Sequence, residues 1–213
     1  LLHAAWSTVP PGSERAPATE WETDLPWLAR MLRHYGERGA RRPIHFVFFS
    51  SGGTVYGDAV KDTASKEEDL LFPKGWHGLA KVQAETLVRE ACAHYGMPCT
   101  ILRISNPYGM TSSTVRPQGI IPILASCALE GSVFRLWGDG DAEKDFIHIN
   151  DFNEAVNHVI SGRITGTYNL SSGRSYSVNS VIAMIKDLTG KPINVVHEPG
   201  YKWDVVASRL DNS

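Results

Sequence analysis

The sequence has no excess of charge of either sign: Lys and Arg number 21 against 23 Asp and Glu, and like charges gather in no run. A nucleic-acid groove or a polybasic patch for a membrane surface therefore has no electrostatic basis. Cysteine is scarce. Cys92, Cys99 and Cys127 are odd in number and form no C-x-x-C pair, which argues against a disulfide framework and for reduced thiols in the cytoplasm. The 8 histidines are scattered with no ligand-spaced pair among them, so no metal is implied. No apolar run approaches the roughly 18 residues of a spanning helix. What is present is 213 residues, 42% of them hydrophobic, enough for a real core and for one large domain or one with a small lobe. The expected partner is a small molecule.

Strand and helix patterns alternate along the chain. Leu1-Leu2-His3-Ala4-Ala5-Trp6 reads as the end of a buried strand, and the sequence looks cut at its front. From Glu20 to Gly36, apolar Trp21, Leu25, Leu28, Leu32 and Tyr35 recur at helical spacing, and Gly36 and Gly39 supply a stop. The run Ile44 to Phe49 predicts a buried parallel strand. A helix is expected from about Trp76 to Tyr95, ended by Gly96, and a strand over Cys99 to Ile104. Beyond Gly109 the elements shorten: a helix near Ile120 to Glu130, strands at Val133 to Trp137 and Phe146 to Ile149, a helix from Asp151 to Ser161 and a strand near Tyr168 to Leu170. A last helix is capped by Ser177, with Val181, Ile182, Ile185 and Leu188 inside. Helix between strands means crossover connections, hence an α/β fold with a doubly wound parallel sheet covered on both faces. The part after Gly109 is expected to form a smaller lobe closing a cleft over the sheet.

Ligands of such sheets bind beyond the carboxyl ends of the strands, so the residues just after each strand carry the information. Four stretches stand out: Phe48-Phe49-Ser50-Ser51-Gly52-Gly53-Thr54-Val55-Tyr56-Gly57, then Gly78-Leu79-Ala80-Lys81 with Glu85, then Leu102-Arg103-Ile104-Ser105-Asn106-Pro107-Tyr108-Gly109, then Asp145-Phe146-Ile147-His148-Ile149-Asn150-Asp151. In order and spacing they resemble the extended short-chain dehydrogenase/reductase family, the NAD-dependent nucleotide-sugar epimerases and dehydratases, with the UDP-glucose 4-epimerase-like members nearest. The resemblance runs from Leu1 to Asp211.

It implies a Rossmann-like domain holding NAD, here residues 1–109 and incomplete, and a C-terminal lobe for a nucleotide sugar, residues 110–213 with returning Rossmann elements. Ala4, Ala5, Trp6, Ser50, Lys81 and Ile104 fall at the implied cofactor positions. A tyrosine four residues before a lysine is the family's proton acceptor, tuned by the ammonium and the nicotinium charge. Lys81 occupies the lysine position, but His77 stands for the tyrosine. Imidazole titrates near neutral pH unaided, and positions four apart on a helix share a face. The family's serine position falls on Gly52, leaving Thr54 or Ser51 as the nearby hydroxyls, so two of three catalytic side chains have changed type. Asn106, Lys144, Tyr201 and Asp204 match substrate-binding positions, Lys144 and Tyr201 where relatives carry arginine. Trp76, Trp137 and Trp203 could stack on a base or sugar or serve as packing.

No G-x-G-x-x-G or G-x-x-G-x-x-G cradle for a pyrophosphate occurs in these residues; relatives carry it ahead of the position of Leu1. The expected function is NAD-dependent C4 epimerisation of a UDP-hexose. A dehydratase or reductase on the same substrates is disfavoured by the lack of an Asp-Glu pair at Gly52-Gly53. A non-catalytic nucleotide-sugar-binding relative is favoured by His77, Gly52 and Tyr201. The resemblance also implies a homodimer through the helices Glu20 to Gly36 and Trp76 to Tyr95.

Overall fold

The computed structural model describes residues 1–39, 44–60, 63–110 and 119–213. Four parallel strands make the main sheet in the order β1 (Leu2–His3), β2 (Phe46–Ser51), β3 (Cys99–Ile104) and β7 (Gly166–Leu170). Val47 sits opposite Leu2, Phe46 opposite Cys99, and Ile101 opposite Thr167. Between β1 and β2 run α1 (Pro10–Arg15), a π-helical turn (Glu20–Asp24) and α2 (Leu25–Gly39). Between β2 and β3 run α3 (Gly52–Val55) and α4 (Gly75–Tyr95).

Period-2 alternation along the central strands sorts their side chains between two layers. Phe46, Phe48 and Ile101 pack with Leu28 and Leu32 of α2 and Ala84, Val88 and Cys92 of α4. On the opposite face Val47, Phe49 and Leu102 meet Phe152, Val156 and Val159 of α6 (Ile149–Gly162). This is the Rossmann-like sheet with helices on both faces. The rest of the chain adds β4 (Asn106–Tyr108), α5 (Ile120–Glu130), β5 (Val133–Trp137), β6 (Glu143–His148), β8 (Ser175–Ser177), α7 (Val178–Thr189) and β9 (Asn194–Glu198). Here β4, β6 and β8 form one small sheet and β5 with β9 another, around a separate core containing Leu124, Phe134, Leu136, Val181 and Ile185.

Arg103 lies on the α4 side of β3, 3% exposed, where its guanidinium donates to Glu85 of α4 (Nη2 to Oε2, 2.9 Å) and to Tyr56 Oη at 2.7 Å. Ser50 donates to the same Glu85 at 2.6 Å, and Tyr56 donates to Asn169 at 2.8 Å. This buried network ties β2, β3, β7 and α4 together.

Several expectations are corrected. Of the two glycines expected to stop this helix, Gly39 is its last residue but Gly36 does not end it; a Cβ at Gly36 would meet the Tyr95 ring at 2.3 Å, so that glycine lets α2 lie against α4. The helix also begins as a π-helical turn rather than as α-helix. Asn106–Tyr108, placed by the sequence only as residues following β3, is itself a strand paired with β6. Leu188 is 85% exposed although its spacing placed it inside α7. Gly96 in the left-handed region (φ 64°) and the Ser177 hydroxyl accepting from Ser180 N end α4 and start α7 as expected.

Candidate active site

Because β2 and β3 run parallel, the residues following them emerge at one rim, and the loop bearing Trp203 and Asp204 closes over it. The resulting cavity, about 280 Å³, is lined by Ser51, Gly53, Thr54, His77, Ser105 and Asn106 from the sheet side and by Lys144, Trp203 and Asp204 from the C-terminal part. Six residues picked from the sequence, Ser51, Thr54, His77, Asn106, Lys144 and Asp204, thus line one cavity. An adjoining cavity of about 310 Å³ shares Asn106, Lys144 and Asp204 and is otherwise lined mainly by apolar side chains such as Ile120, Phe134, Trp137 and Phe146, with Arg135 among them. A larger groove of about 690 Å³ runs along β1 and α2, past His3, Ala5, Trp6 and Asp24.

His77 stands in the first turns of α4, 8% exposed. Its Nδ1 lies 3.0 Å from Oε1 of Glu20 on the π-helical turn. Glu20 is 0% exposed and also accepts from Thr8 Oγ1 and Ser13 Oγ, each at 2.5 Å, and from Trp6 Nε1 at 3.3 Å. Burial pushes this carboxyl up, but the bonds from Ser13, Thr8 and Trp6 outweigh it and hold the pKa below the ordinary carboxylate value. An ionised carboxylate only accepts, so the imidazole proton belongs on Nδ1, leaving Nε2 a lone pair. Burial first, and the Lys81 ammonium second, lower the His77 pKa from its usual value, against the pull of Glu20.

One turn on, Lys81 is 7% exposed; Nζ donates to Phe49 O at 3.1 Å and rests 3.8 Å from the centre of the Trp6 ring. Burial lowers its pKa to about 7. Trp6 meets the His77 ring edge to face at 6.5 Å, so one indole contacts both His77 and Lys81.

Hydroxyls complete the wall. A Cβ at Gly52 would come within 2.5 Å of Leu210 Cδ1 and 2.9 Å of Arg103 O, so this backbone leaves no room for a serine there. Thr54 Oγ1 is buried without a hydrogen-bond partner, which makes it a candidate for a bound hydroxyl or phosphate, whereas the Ser105 hydroxyl serves the buried Asp145 carboxylate. Asn106 Nδ2 donates to Asp145 O at 2.8 Å. Lys144 Nζ reaches Asp204 Oδ1 at 3.1 Å, so these two expected substrate contacts are an ion pair with each other.

Other expected contacts lie elsewhere. The Ser50 side chain is committed to Glu85, and Ile104 packs with Phe49 and Phe152 beneath the sheet; neither side chain reaches these cavities. Ala4 is exposed beyond β1, while Ala5 and Trp6 border the large groove. Tyr201 is stacked between Trp137 (6.0 Å) and Trp203 (4.7 Å) and lines none of the three cavities described. Trp76 packs edge to face on Trp21. Sequence reasoning missed Glu20, whose only signal was an acidic residue opening an apolar helical pattern.

A parallel sheet covered on both faces, with a buried histidine, a lysine and a buried threonine hydroxyl near its carboxyl rim, defines a Rossmann-like protein with a cavity at that rim. The profile of the NAD dependent epimerase/dehydratase family matches residues 1–171, and the chain belongs to that family, whose cofactor is NAD. The dTDP-4-dehydro-6-deoxyglucose reductase of Escherichia coli is 34% identical over 143 residues, 66% of this chain and 44% of that protein. The UDP-glucose 4-epimerase of Halalkalibacterium halodurans is 25% identical over 210 residues, 91% of this chain and 61% of that protein. Among solved structures, UDP-glucose 4-epimerase of Thermotoga maritima with UDP-glucose superposes with a TM-score of 0.87 at 27% identity, covering 100% of this chain and 68% of that one. The chain thus spans about half the length of the curated relatives, 44% and 61% of these two.

The residues present fit one end of NAD: small Ala4 and Ala5, the Trp6 ring and the Lys81 ammonium lie past the carboxyl end of β1 beside His77. A glycine loop for the pyrophosphate is not among the 213 residues. No group of metal-ligating side chains occurs among the described residues.

Proposed function

We propose that the chain carries the acid–base half of an NAD-dependent nucleotide-sugar epimerase that inverts C4 of a UDP-hexose. The observation that carries this reading is an imidazole bonded through Nδ1 to Glu20, on the wall of a cavity with the unpartnered Thr54 hydroxyl and the side chains of Asn106 and Lys144. His77 takes the proton of the sugar hydroxyl at Nε2 and returns it, while Thr54, or Ser51 beside it, accepts or donates to the same hydroxyl. Bound NAD supplies the hydride acceptor and donor. Ala4, Ala5, Trp6 and Lys81 are the residues of this chain that would border its nicotinamide ribose. In this reading Asn106 and Lys144 face the sugar and diphosphate, and the cavity around Trp137 takes the base.

Residues 1–109 are taken as the NAD-binding part and 110–213 as the substrate lobe. A cytoplasmic homodimer belongs to the same proposal, supported by three free cysteines and by an exposed Trp27 on α2, 63% accessible. Ala80 and Ala84, by contrast, are 0% exposed within the single chain, and α4 uses them for packing against its own neighbours. A role in surface-polysaccharide synthesis is consistent with these substrates.

The test is interconversion of UDP-glucose and UDP-galactose, or their N-acetyl forms, by the purified protein with NAD. We expect turnover that falls by roughly 10²–10⁴-fold in His77→Ala. The acidic limb of kcat/KM should lie below the usual histidine range, because the base is lost only when pH drops through a lowered pKa. A protein that binds NAD yet is inert on every UDP-hexose favours the second reading, a binding relative, to which the closed Gly52 position points.

A further inference from the structure

We propose that Glu20 is the positioning residue of this site: it fixes the His77 tautomer and stabilises the ring once protonated, so that a Glu20–His77 pair stands where relatives use a tyrosine. The inference rests on His77 being the acid–base group.

Glu20 is fully buried, yet no Lys or Arg touches it; among the described residues its ion-pair partner is His77 alone. A buried carboxylate without a permanent cation must be held by hydrogen bonds. Here the donors come from three places: Trp6 and Thr8 in the segment after β1, Ser13 in α1, and His77 in α4. Each donor other than His77 is neutral and Lys81 acts on Glu20 only through space, so the ring, once protonated, is the one cation bonded directly to this carboxylate. That is an arrangement for stabilising a cation that forms and vanishes. The π-helical turn from Glu20 to Asp24 also carries the second acid, Asp24, which accepts from Ser7 N and Oγ at 3.0 and 2.6 Å.

Glu20 and Asp24 face the His77 ring from the π-helical turn and raise its pKa, and Lys81 on its own helix lowers it. Glu14, Lys74 and Lys144 line the cavity beyond. Replacing Glu20 by glutamine removes one of the opposing charges at constant size, and the new amide can donate to Nδ1 and turn the tautomer over.

The experiment is ring-nitrogen NMR of His77 in the purified protein from pH 5 to 9, for the wild type and Glu20→Gln, with kcat and KM measured in parallel. In the wild type the neutral ring should be protonated at Nδ1. In the variant we expect a mixed or Nε2-protonated ring, a lower His77 pKa, an acidic limb moved to lower pH, and kcat reduced by roughly 10²–10⁴-fold with KM nearly unchanged. An Nε2-protonated ring in the wild type overturns the proposal even if the variant does not fold. So does a folded variant with unaltered tautomer, titration and kcat. If the protein is inert on UDP-hexoses while the NMR result holds, the epimerase reading falls and the Glu20–His77 pair remains.

Discussion

Glu20 and Glu85 are both 0% exposed and both bonded to residues of α4 or the strands beside it, yet they are answered in different ways. Glu85 meets the Arg103 guanidinium at 2.9 Å and the Ser50 hydroxyl at 2.6 Å. Its partner is charged at every accessible pH, so the pair is a fixed piece of scaffold binding β3 to α4. Glu20 meets two hydroxyls, an indole and an imidazole, the one partner whose charge changes near neutrality. A buried carboxylate matched to a permanent cation holds a fold. One matched to a titratable ring can take part in proton transfer.

Asp145 is intermediate and sharpens the contrast. It is 0% exposed and accepts from Ser172 N at 3.1 Å and from the Ser105 hydroxyl, with no cation beside it among the causes that set its pKa. Burial raises its pKa to about 6.

The largest expected effect is on the scaffold pair. Glu85→Ala strands a buried guanidinium and should cost about 3–5 kcal/mol of stability, read as a lowered Tm. A loss under about 1 kcal/mol would erase the distinction drawn between the two glutamates. Next comes Asp145→Asn. Its folded pKa lies above the unfolded value, so the native state holds the extra proton between about pH 4 and 6, and stability falls as pH rises through that window. The variant should be more stable by about 1–3 kcal/mol at pH 7 and no more stable near pH 3, measured by urea unfolding at both. Equal gains at the two pH values would assign the effect to packing. The smallest effect is Ser50→Ala: Glu85 keeps Arg103, and the missing hydroxyl should cost about 1 kcal/mol in the same assay.

Local signals carried much of the fold. The apolar stretch from Cys99 to Ile104 is the strand its pattern predicts, and Gly96 and Ser177 act at the helix ends where their chemistry suits them. The family motifs likewise placed Thr54, His77, Asn106 and Lys144, because each follows or faces the end of a strand. What local pattern hid were distant partners. Gly36 looked like a stop because nothing near it in sequence announces Tyr95, and Ser50 looked like a ligand contact because Glu85 is 35 residues away. Leu188 had the right spacing but no neighbour to cover it.

Composition and periodicity by themselves fixed a two-faced parallel sheet and the rim at which residues gather, since strand alternation and helix spacing are properties of neighbours along the chain. Whether an acidic side chain would be solvated, paired with arginine or set against histidine was decided only when segments 57 residues apart, Glu20 and His77, were brought within 3.0 Å. The reason is electrostatic: the charge state and tautomer of a buried group depend on what replaces its water, and that replacement is assembled by the tertiary fold.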